Sequence, residues 1–326
     1  MIAHACSDRY NHPENSARQA GFSSRERLQT QSSRGFVRKA FAILLLAGFA
    51  STQLFAWGQK GHAIVADLAA SRLTPQARAN LQLLLGADSL ASISTWADQV
   101  RKERDESFGW HFVDIPKDAP GFSRERDCFR PQENHKGAQT DHHNCVVDRI
   151  EMFQKVLADE GAPRSERVEA LKWLVHFVGD LHQPLHAVEE ARGGNDIKLP
   201  AFGSPKCGDY DCNLHWVWDS MLIDHAAYSE EEYVQRLNQL IEKENLAQQA
   251  RGTAEDWANE SHLQAREILG QKPAAIDEQY YRSHIDLVNR KLALAGLRLA
   301  VVLNQALGKS AGAGFTPNPG RSSPGL

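Results

Sequence analysis

The stretch WLVHFVGDLHQPLH, residues 173–186, places three histidines and one aspartate in a run that is otherwise largely apolar. Its length and spacing predict a buried helix that Pro184 interrupts. Taking an ionised carboxylate or imidazole out of water costs several kcal/mol unless something pairs with it. The polar residues of this helix therefore predict a binding partner inside the fold.

Helical periodicity also dominates the rest of the chain, and alternating strand patterns are scarce. In one example, Thr74 is a predicted N-cap, Pro75 the first helical residue and Gly86 a stop. Helices are predicted over 61–73, 74–86, 89–106, 145–159, 165–183, 213–224, 229–245, 253–270 and 278–307. The stretches 116–143 and 192–212 are predicted loops, and loops of this length are often functional. The pattern indicates one mainly α domain of many helices.

The two ends of the chain differ from this helical part. A basic segment precedes the apolar run 40–50, and Ala56 ends a plausible cleavage site, as in a secretory signal. The apolar run is too short to span a membrane as a mature helix. We expect removal of 1–56 and a secreted or periplasmic monomer without membrane insertion. The end, 309–326, is predicted to be a disordered tail, which leaves 57–308 as the folded domain.

Without this leader the protein is acidic. The sequence has 37 Lys and Arg against 41 Asp and Glu, and removing the leader's seven basic and three acidic residues leaves a formal net charge of −8. An acidic protein is a poor candidate for binding phosphates through a lysine-rich surface. If it handles a phosphate ester, bound ions must supply most of the positive charge.

Five cysteines are present, and Cys6 lies in the leader. The remaining four, Cys128, Cys145, Cys207 and Cys212, allow three pairings. We favour Cys128–Cys145 and Cys207–Cys212, because each pair closes a loop within one polar connection. A zinc–thiolate site is less favoured, since the spacings are unusual for one and the expected compartment is oxidising.

Histidine and aspartate recur among apolar residues. His176 and Asp180 are four apart and share a helix face, and NLHWVWDS repeats that spacing with His215 and Asp219. Further members are Asp98 in TWADQVR, His111 in WHFVDI, and His186 just after Pro184. A single such histidine is more often a hydrogen-bonded core residue than a ligand. Several sets would each need a buried partner, whereas one polynuclear zinc site satisfies them all.

These motifs resemble, in order, those of the zinc-dependent, single-strand-specific nucleases of fungi and plants. They are a Trp at position 57, W-x₄-H, WAD-x₂-R, HFVD, HF-x-GD-x-HQPLH, GGN and H-x₃-D. That family is also active on 3′-nucleotides and is related to bacterial zinc phospholipase C. The resemblance covers about 57–225 and implies a mainly α fold of the zinc phospholipase C/nuclease type, with long loops around a metal cleft.

The resemblance implies three Zn²⁺ ions as cofactors. The first ion would take Asp98, His111, His176 and Asp180. The second would take His186, His215 and Asp219. The third would take Asp180 again, His62, and the amine and carbonyl of Trp57 once cleavage exposes them. His182 is assigned to no ion and is expected behind the ligands or at the surface.

The implied reaction is hydrolysis of single-stranded DNA and RNA to 5′-phosphate products, with 3′-nucleotidase activity. A water activated between zinc ions would attack phosphorus, with Asp98 orienting it and Arg101 stabilising the transition state. Because Arg101 lies in the charged run QVRKERDE, a solvated surface role is the alternative.

Substrate recognition is also inferred from the resemblance. Phe112 would stack on an unpaired base, and Asp114 would hydrogen-bond the edge of that base. Without the resemblance, Phe112 would be read as a core residue. Asn195 and Asp196, in GGND, would line the same pocket, unless they only form a turn, and Tyr210 would offer a second stacking surface.

Two other functions fit the same ligands. The first is a zinc phospholipase C acting on phospholipids, although relatives of that type have a glutamate where this chain has Asp219. The second is a zinc-binding export protein without turnover, which would be indifferent to Arg101→Ala.

Overall fold

The computed structural model describes residues 57–128 and 144–308, which lie within one compact unit. The first six α-helices are α1 (Gln59–Ala70), α2 (Pro75–Leu85), α3 (Leu90–Ile93), α4 (Trp96–Val100), α5 (Arg124–Asp127) and α6 (Val146–Ala158). They are followed by α7 (Arg164–His182), α8 (Leu214–Trp216), α9 (Leu222–His225), α10 (Glu230–Lys243), α11 (Ala254–Gln271) and α12 (Glu278–Leu307). The mainly α prediction is confirmed.

Shorter elements connect these helices. There are 3-10 helices at Asp105–His111, Pro184–Ala187 and Leu246–Gln249, and a π-helical segment at Val217–Met221. The strands β1 (Lys206–Cys207) and β2 (Tyr210–Asp211) pair antiparallel as a small hairpin. The predicted leader and tail, and part of the loop 116–143, lie outside the described residues. Among the described residues, no helix combines the length and the apolar character that a membrane crossing requires.

Helix α2 begins and ends where its sequence signals predict. The Thr74 hydroxyl accepts a hydrogen bond from Ala77 N at 3.2 Å, and Pro75 takes the first helical position. Gly86 follows the last residue with a φ of 66°, a backbone conformation that glycine adopts without strain.

The single helix predicted over 89–106 is wrong. The chain instead forms α3, α4 and the 3-10 helix Asp105–His111. Serine hydroxyls bond nearby backbone here, as when Ser94 Oγ donates to Ala91 O at 2.8 Å, and such bonds compete with a continuous helix. The resulting bends turn Asp98 and His111 towards α7.

The helix predicted over 213–224 is also divided. The π segment Val217–Met221 separates α8 from α9, and Asp219 lies inside it. A π segment adds a residue to a helical turn, and such segments are frequent at functional sites. The π segment therefore changes the angular position of the Asp219 side chain around the helix axis relative to that of His215.

Helix α7 lies at the centre of the packing and contacts α6, α11, α12 and α1. All but one of its residues from Ala170 to His182 are buried. A helix that is buried on every side needs partners for each polar side chain it carries. The three titratable side chains on its buried C-terminal half, His176, Asp180 and His182, therefore face other elements rather than solvent.

Two disulfides cross-link loop segments of the described chain. Cys128 pairs with Cys145 and Cys207 with Cys212, with Cα atoms 4.8 and 4.9 Å apart, so the favoured pairing is confirmed. The second bridge closes the β1–β2 hairpin just before α8. It therefore holds the loop that leads to His215.

Candidate metal centre

The first group of polar side chains meets beside the C-terminal half of α7. His62 comes from α1, Asp98 from α4, His111 from the end of the 3-10 helix, and His176 and Asp180 from α7. His176 Nε2 lies 3.5 Å from Asp98 Oδ2, 3.3 Å from Asp180 Oδ1 and 3.1 Å from His111 Nδ1. None of the five is more than 2% exposed. The structure thus brings together side chains that are 118 residues apart at the extremes.

A second group lies beyond the end of α7. His215 Nε2 is 3.4 Å from Asp219 Oδ2, and His186 Nε2 is 3.8 Å from Asp219 Oδ1. The two imidazoles stack with centroids 4.8 Å apart. The geometry of this group could hold one metal ion, and that of the first group could hold more than one.

Hydrogen bonds on the far side of three rings fix their tautomers. The Nδ1 atoms of His176, His186 and His215 lie 2.8, 2.8 and 2.7 Å from the carbonyl oxygens of Ser94, His111 and Gly193 respectively. Because a carbonyl only accepts, each Nδ1 carries the proton. Each Nε2 therefore turns an available lone pair into the cluster, as metal-binding histidines do.

Many buried polar atoms of the cluster have no hydrogen-bond partner. They are both nitrogens of His62, both carboxyl oxygens of Asp98, His111 Nε2, Asp180 Oδ1, His186 Nε2 and Asp219 Oδ2. Each such atom costs about 1–3 kcal/mol when it stays unpaired. Imidazole nitrogens and carboxylate oxygens are the ligands that Zn²⁺ takes in proteins. The side chains therefore fit a metal centre.

Burial shifts the pKa values of these groups towards their uncharged forms. It raises the pKa of Asp98 to about 8 and the pKa values of Asp180 and Asp219 well above their usual range. It lowers the pKa of His176 to about 3 and of His215 to about 4, and it holds the pKa values of His62, His111 and His186 well below their usual range. Neutral imidazole is the ligand form, and a nearby cation favours the carboxylate form of aspartate.

Gln183 contacts the second group, a role that the sequence did not predict. Its Nε2 donates to Asp219 Oδ1 at 2.5 Å, and its Oε1 accepts from Leu185 N at 2.6 Å. The side chain is fully buried. Its signal in the sequence is its position in the HQPLH motif, between His182 and Pro184.

Two glycines permit close packing around His62 and His215. A Cβ on Gly179 would lie 2.8 Å from His62 Nδ1, so α1 and α7 approach this closely only with glycine there. Gly193 has a φ of 60°, and a Cβ on it would lie 2.3 Å from Leu185 O. The glycines of GGN therefore place the carbonyl that orients His215.

Arg101 lies beside the first group. Burial lowers its pKa, while the charges of Asp98 and Asp180 act in the opposite direction. Its Cζ lies 4.3 Å from the centre of the Phe108 ring. The side chain therefore faces the cluster, which argues against a fully solvated position in the charged run.

The other predicted residues are more scattered. Phe112 and Asp114 are half-buried on the segment that follows His111. Asn195 is buried with Nδ2 donating to Arg192 O at 2.9 Å, whereas Asp196 is exposed and pairs with Arg192 at 2.7 Å. Tyr210 is half-buried in the hairpin.

His182 is not a surface residue. It is fully buried, and its Nδ1 donates to Val178 O at 2.7 Å. Its Nε2 accepts from Arg298 Nη1 at 2.9 Å, so it contacts α12 rather than solvent.

Comparison with known proteins is consistent with this geometry. The S1/P1 Nuclease family model matches residues 57–308. Nuclease P1 of Penicillium citrinum is 32% identical over 283 residues, which cover 77% of this chain and 98% of that protein. Endonuclease 2 of Arabidopsis thaliana is 28% identical over 288 residues, which cover 80% and 93%. Nuclease S1 of Aspergillus oryzae is 33% identical over 181 residues, which cover 53% and 56%.

Proposed function

The chain belongs to the S1/P1 nuclease family, and on that premise we propose that it is a trinuclear-zinc phosphodiesterase. Its substrates are single-stranded DNA and RNA, which it cleaves to 5′-phosphate products, and 3′-nucleotides, which it dephosphorylates. The family is metal-dependent and hydrolyses phosphodiester bonds. The observation that supports zinc most directly is the buried set of unpaired imidazole and carboxylate atoms.

Three zinc positions account for these atoms. Asp98, His111, His176 and Asp180 would hold the first ion, and His186, His215 and Asp219 the second. Asp180, His62 and the freed amine and carbonyl of Trp57 would hold the third. Zinc bound there supplies Lewis-acid chemistry, which offsets phosphate charge and makes water a nucleophile near neutral pH.

The side chains around these positions have separate roles. Asp98 orients the attacking water through a carboxylate oxygen. Arg101 donates to the phosphate oxygens, where a guanidinium fork stabilises the charge of the transition state. Its position beside Asp98 and Asp180 supports this role.

Base recognition accounts for the single-strand preference. Phe112 stacks on one base and Asp114 hydrogen-bonds the edge of that base, which requires a base that is free of its helix stack. Asn195 lines the pocket, and its buried Oδ1 has no hydrogen-bond partner, which supports a substrate contact. Asp196, beside Arg192, and Tyr210, in the β1–β2 hairpin, would also contact the substrate.

The protein would act outside the cytoplasm. Residues 1–56 are removed after Ala56, and the mature chain is a secreted or periplasmic monomer. Two disulfides fit an oxidising compartment.

Hydrolysis assays of the processed protein on a set of candidate substrates test this proposal. Single-stranded DNA and RNA should be cut to 5′-phosphate ends, with loss of activity in chelator and recovery with zinc. Arg101→Ala should lower kcat by about 10²–10³-fold without loss of zinc. Hydrolysis of lecithin but not of nucleic acid would indicate a phospholipase, and bound zinc without any hydrolysis would indicate a non-catalytic protein.

A further inference from the structure

Phe108 touches two side chains that have different roles in the proposed nuclease. Its ring centre lies 4.3 Å from Cζ of Arg101, within the range of a cation–π contact. The same ring meets Phe112 edge to face, with centroids 5.9 Å apart and planes at 83°. Phe108 is half-buried in the 3-10 helix that ends at His111. It lies outside the WAD-x₂-R and HFVD motifs that flank it.

The contact with Arg101 restrains a long and flexible side chain. The charges of Asp98 and Asp180 attract the guanidinium, and the face of the Phe108 ring contacts it. If the ring were absent, the guanidinium would be free to adopt side-chain conformations that point away from a phosphate. A guanidinium that is already held in place loses less conformational entropy when the transition state forms.

The contact with Phe112 restrains the proposed base platform. Edge-to-face packing favours one orientation of each ring, because the positive edge of one meets the negative face of the other. Phe112 also follows directly after the ligand His111, so its backbone is already fixed. The Phe108 ring then limits the remaining rotation of the Phe112 side chain.

We propose that Phe108 is a positioning residue that couples the phosphate-binding Arg101 to the base-binding Phe112. It sets the distance between the site of one base and the site of the adjoining phosphate. This inference rests on the proposed nuclease function, and it adds a residue that determines how substrate is aligned.

Double-mutant cycles test this coupling on the processed, zinc-loaded protein. We expect Phe108→Leu to lower kcat about tenfold and raise KM about threefold for a short single-stranded DNA, with zinc content unchanged. In an Arg101→Ala background, Phe108→Leu should change kcat by less than about twofold. In a Phe112→Ala background, Phe108→Leu should change KM by less than about twofold. Phe108→Tyr keeps the ring and should restore most of the activity.

A matched control is Phe122→Leu, which removes another phenylalanine ring in cation–π contact with an arginine. Arg124 Cζ lies 6.0 Å from the centre of the Phe122 ring. Phe122→Leu should leave kcat and KM unchanged. If Phe108→Leu loses zinc, Phe108→Met takes its place in the same cycles. If Phe108→Leu has equal effects in the unmutated protein, in Arg101→Ala and in Phe112→Ala, the coupling is overturned and the nuclease proposal stays intact. Absence of activity in the unmutated protein would instead refute the proposed function.

Discussion

The imidazole of His62 stacks on that of His176, with ring centroids 4.0 Å apart and planes inclined by 14°. The rings come from α1 and α7, and each Nε2 lies 3.3 Å from Asp180 Oδ1. Burial lowers the pKa of both histidines, so both rings stay neutral and can lie face to face without charge repulsion. The separation of α1 and α7 therefore sets the geometry of the centre.

The first prediction follows from that separation. In Gly179→Ala, the new Cβ would lie 2.8 Å from His62 Nδ1, and His62 cannot retreat freely because its ring is stacked on His176. We expect the variant to lose one zinc per chain and about tenfold or more in activity. Plasma mass spectrometry of desalted protein, together with a nuclease assay, measures both.

Gly270→Ala is the control for this substitution. Gly270 lies in α11, and a Cβ there meets nothing within 4 Å. Its zinc content should be unchanged and its free energy of unfolding should rise by about 0.5–1 kcal/mol. Full zinc content in Gly179→Ala would contradict this prediction, because it would show that α1 and α7 can move apart without loss of zinc binding.

The second prediction concerns Gln183. In Gln183→Glu the acceptor for Leu185 N remains, but the side chain can no longer donate to the Asp219 carboxylate. Partners of this kind change metal affinity by about 10–100-fold. We expect weakened zinc binding at the His186, His215 and Asp219 position, measured by competition with a fluorescent chelator. Affinity equal to that of the unmutated protein would exclude an orienting role.

Sequence patterns predicted much of this arrangement, because the relevant signals are local. Thr74 and Gly86 mark the ends of α2, and His176 and Asp180 share a face through their spacing. Paired cysteines in polar loops identified the disulfides. The resemblance named a ligand set whose side chains the structure brings together.

What sequence could not predict depends on contacts between distant elements. The role of Gln183 requires the position of Asp219, and that of Gly179 requires the approach of α1. The break within 89–106 arises from serine bonds and tertiary packing that override helical periodicity. Phe108 has no distinguishing pattern of its own, because its partners lie seven residues before it and four after it.

The third prediction concerns processing. Trp57 is fully buried, and Gly58 N donates to Asp219 O at 2.6 Å, so the start of the domain is held against the second group. One residue added before Trp57 would convert the proposed ligand amine into an amide, which does not bind zinc in its place. We expect two zinc ions per chain instead of three, and a residue added at the opposite end should change nothing. An extended chain with three ions and full activity would contradict the amine ligand.

The fourth prediction concerns Lys291, which is 1% exposed on α12. Its Nζ donates to Ser261 Oγ at 3.2 Å, and burial lowers its pKa to about 7, with Glu260 acting upwards and Arg298 downwards. In the unfolded chain its pKa is about 10.4, so the unfolded state binds more protons between these values and stability rises with pH there. Below about pH 7 the buried charge costs the folded state up to about 5 kcal/mol.

Lys291→Met should therefore raise the free energy of unfolding by a few kcal/mol at pH 6 and by much less at pH 10. Replacing a buried charge with an apolar side chain of similar volume is often neutral or stabilising. Urea denaturation of both proteins at each pH, with zinc held constant, isolates the contribution of this side chain. A gain that is the same at pH 6 and pH 10 would show that Lys291 does not titrate in this range.

Anomalous diffraction at the zinc absorption edge, from crystals of the protein beginning at Trp57, tests the metal centre most directly. The account predicts three zinc peaks. One lies among Asp98, His111, His176 and Asp180, one beside His62 and Asp180, and one among His186, His215 and Asp219. A difference map without peaks at these side chains, in protein that cleaves single-stranded DNA at full rate, would contradict it.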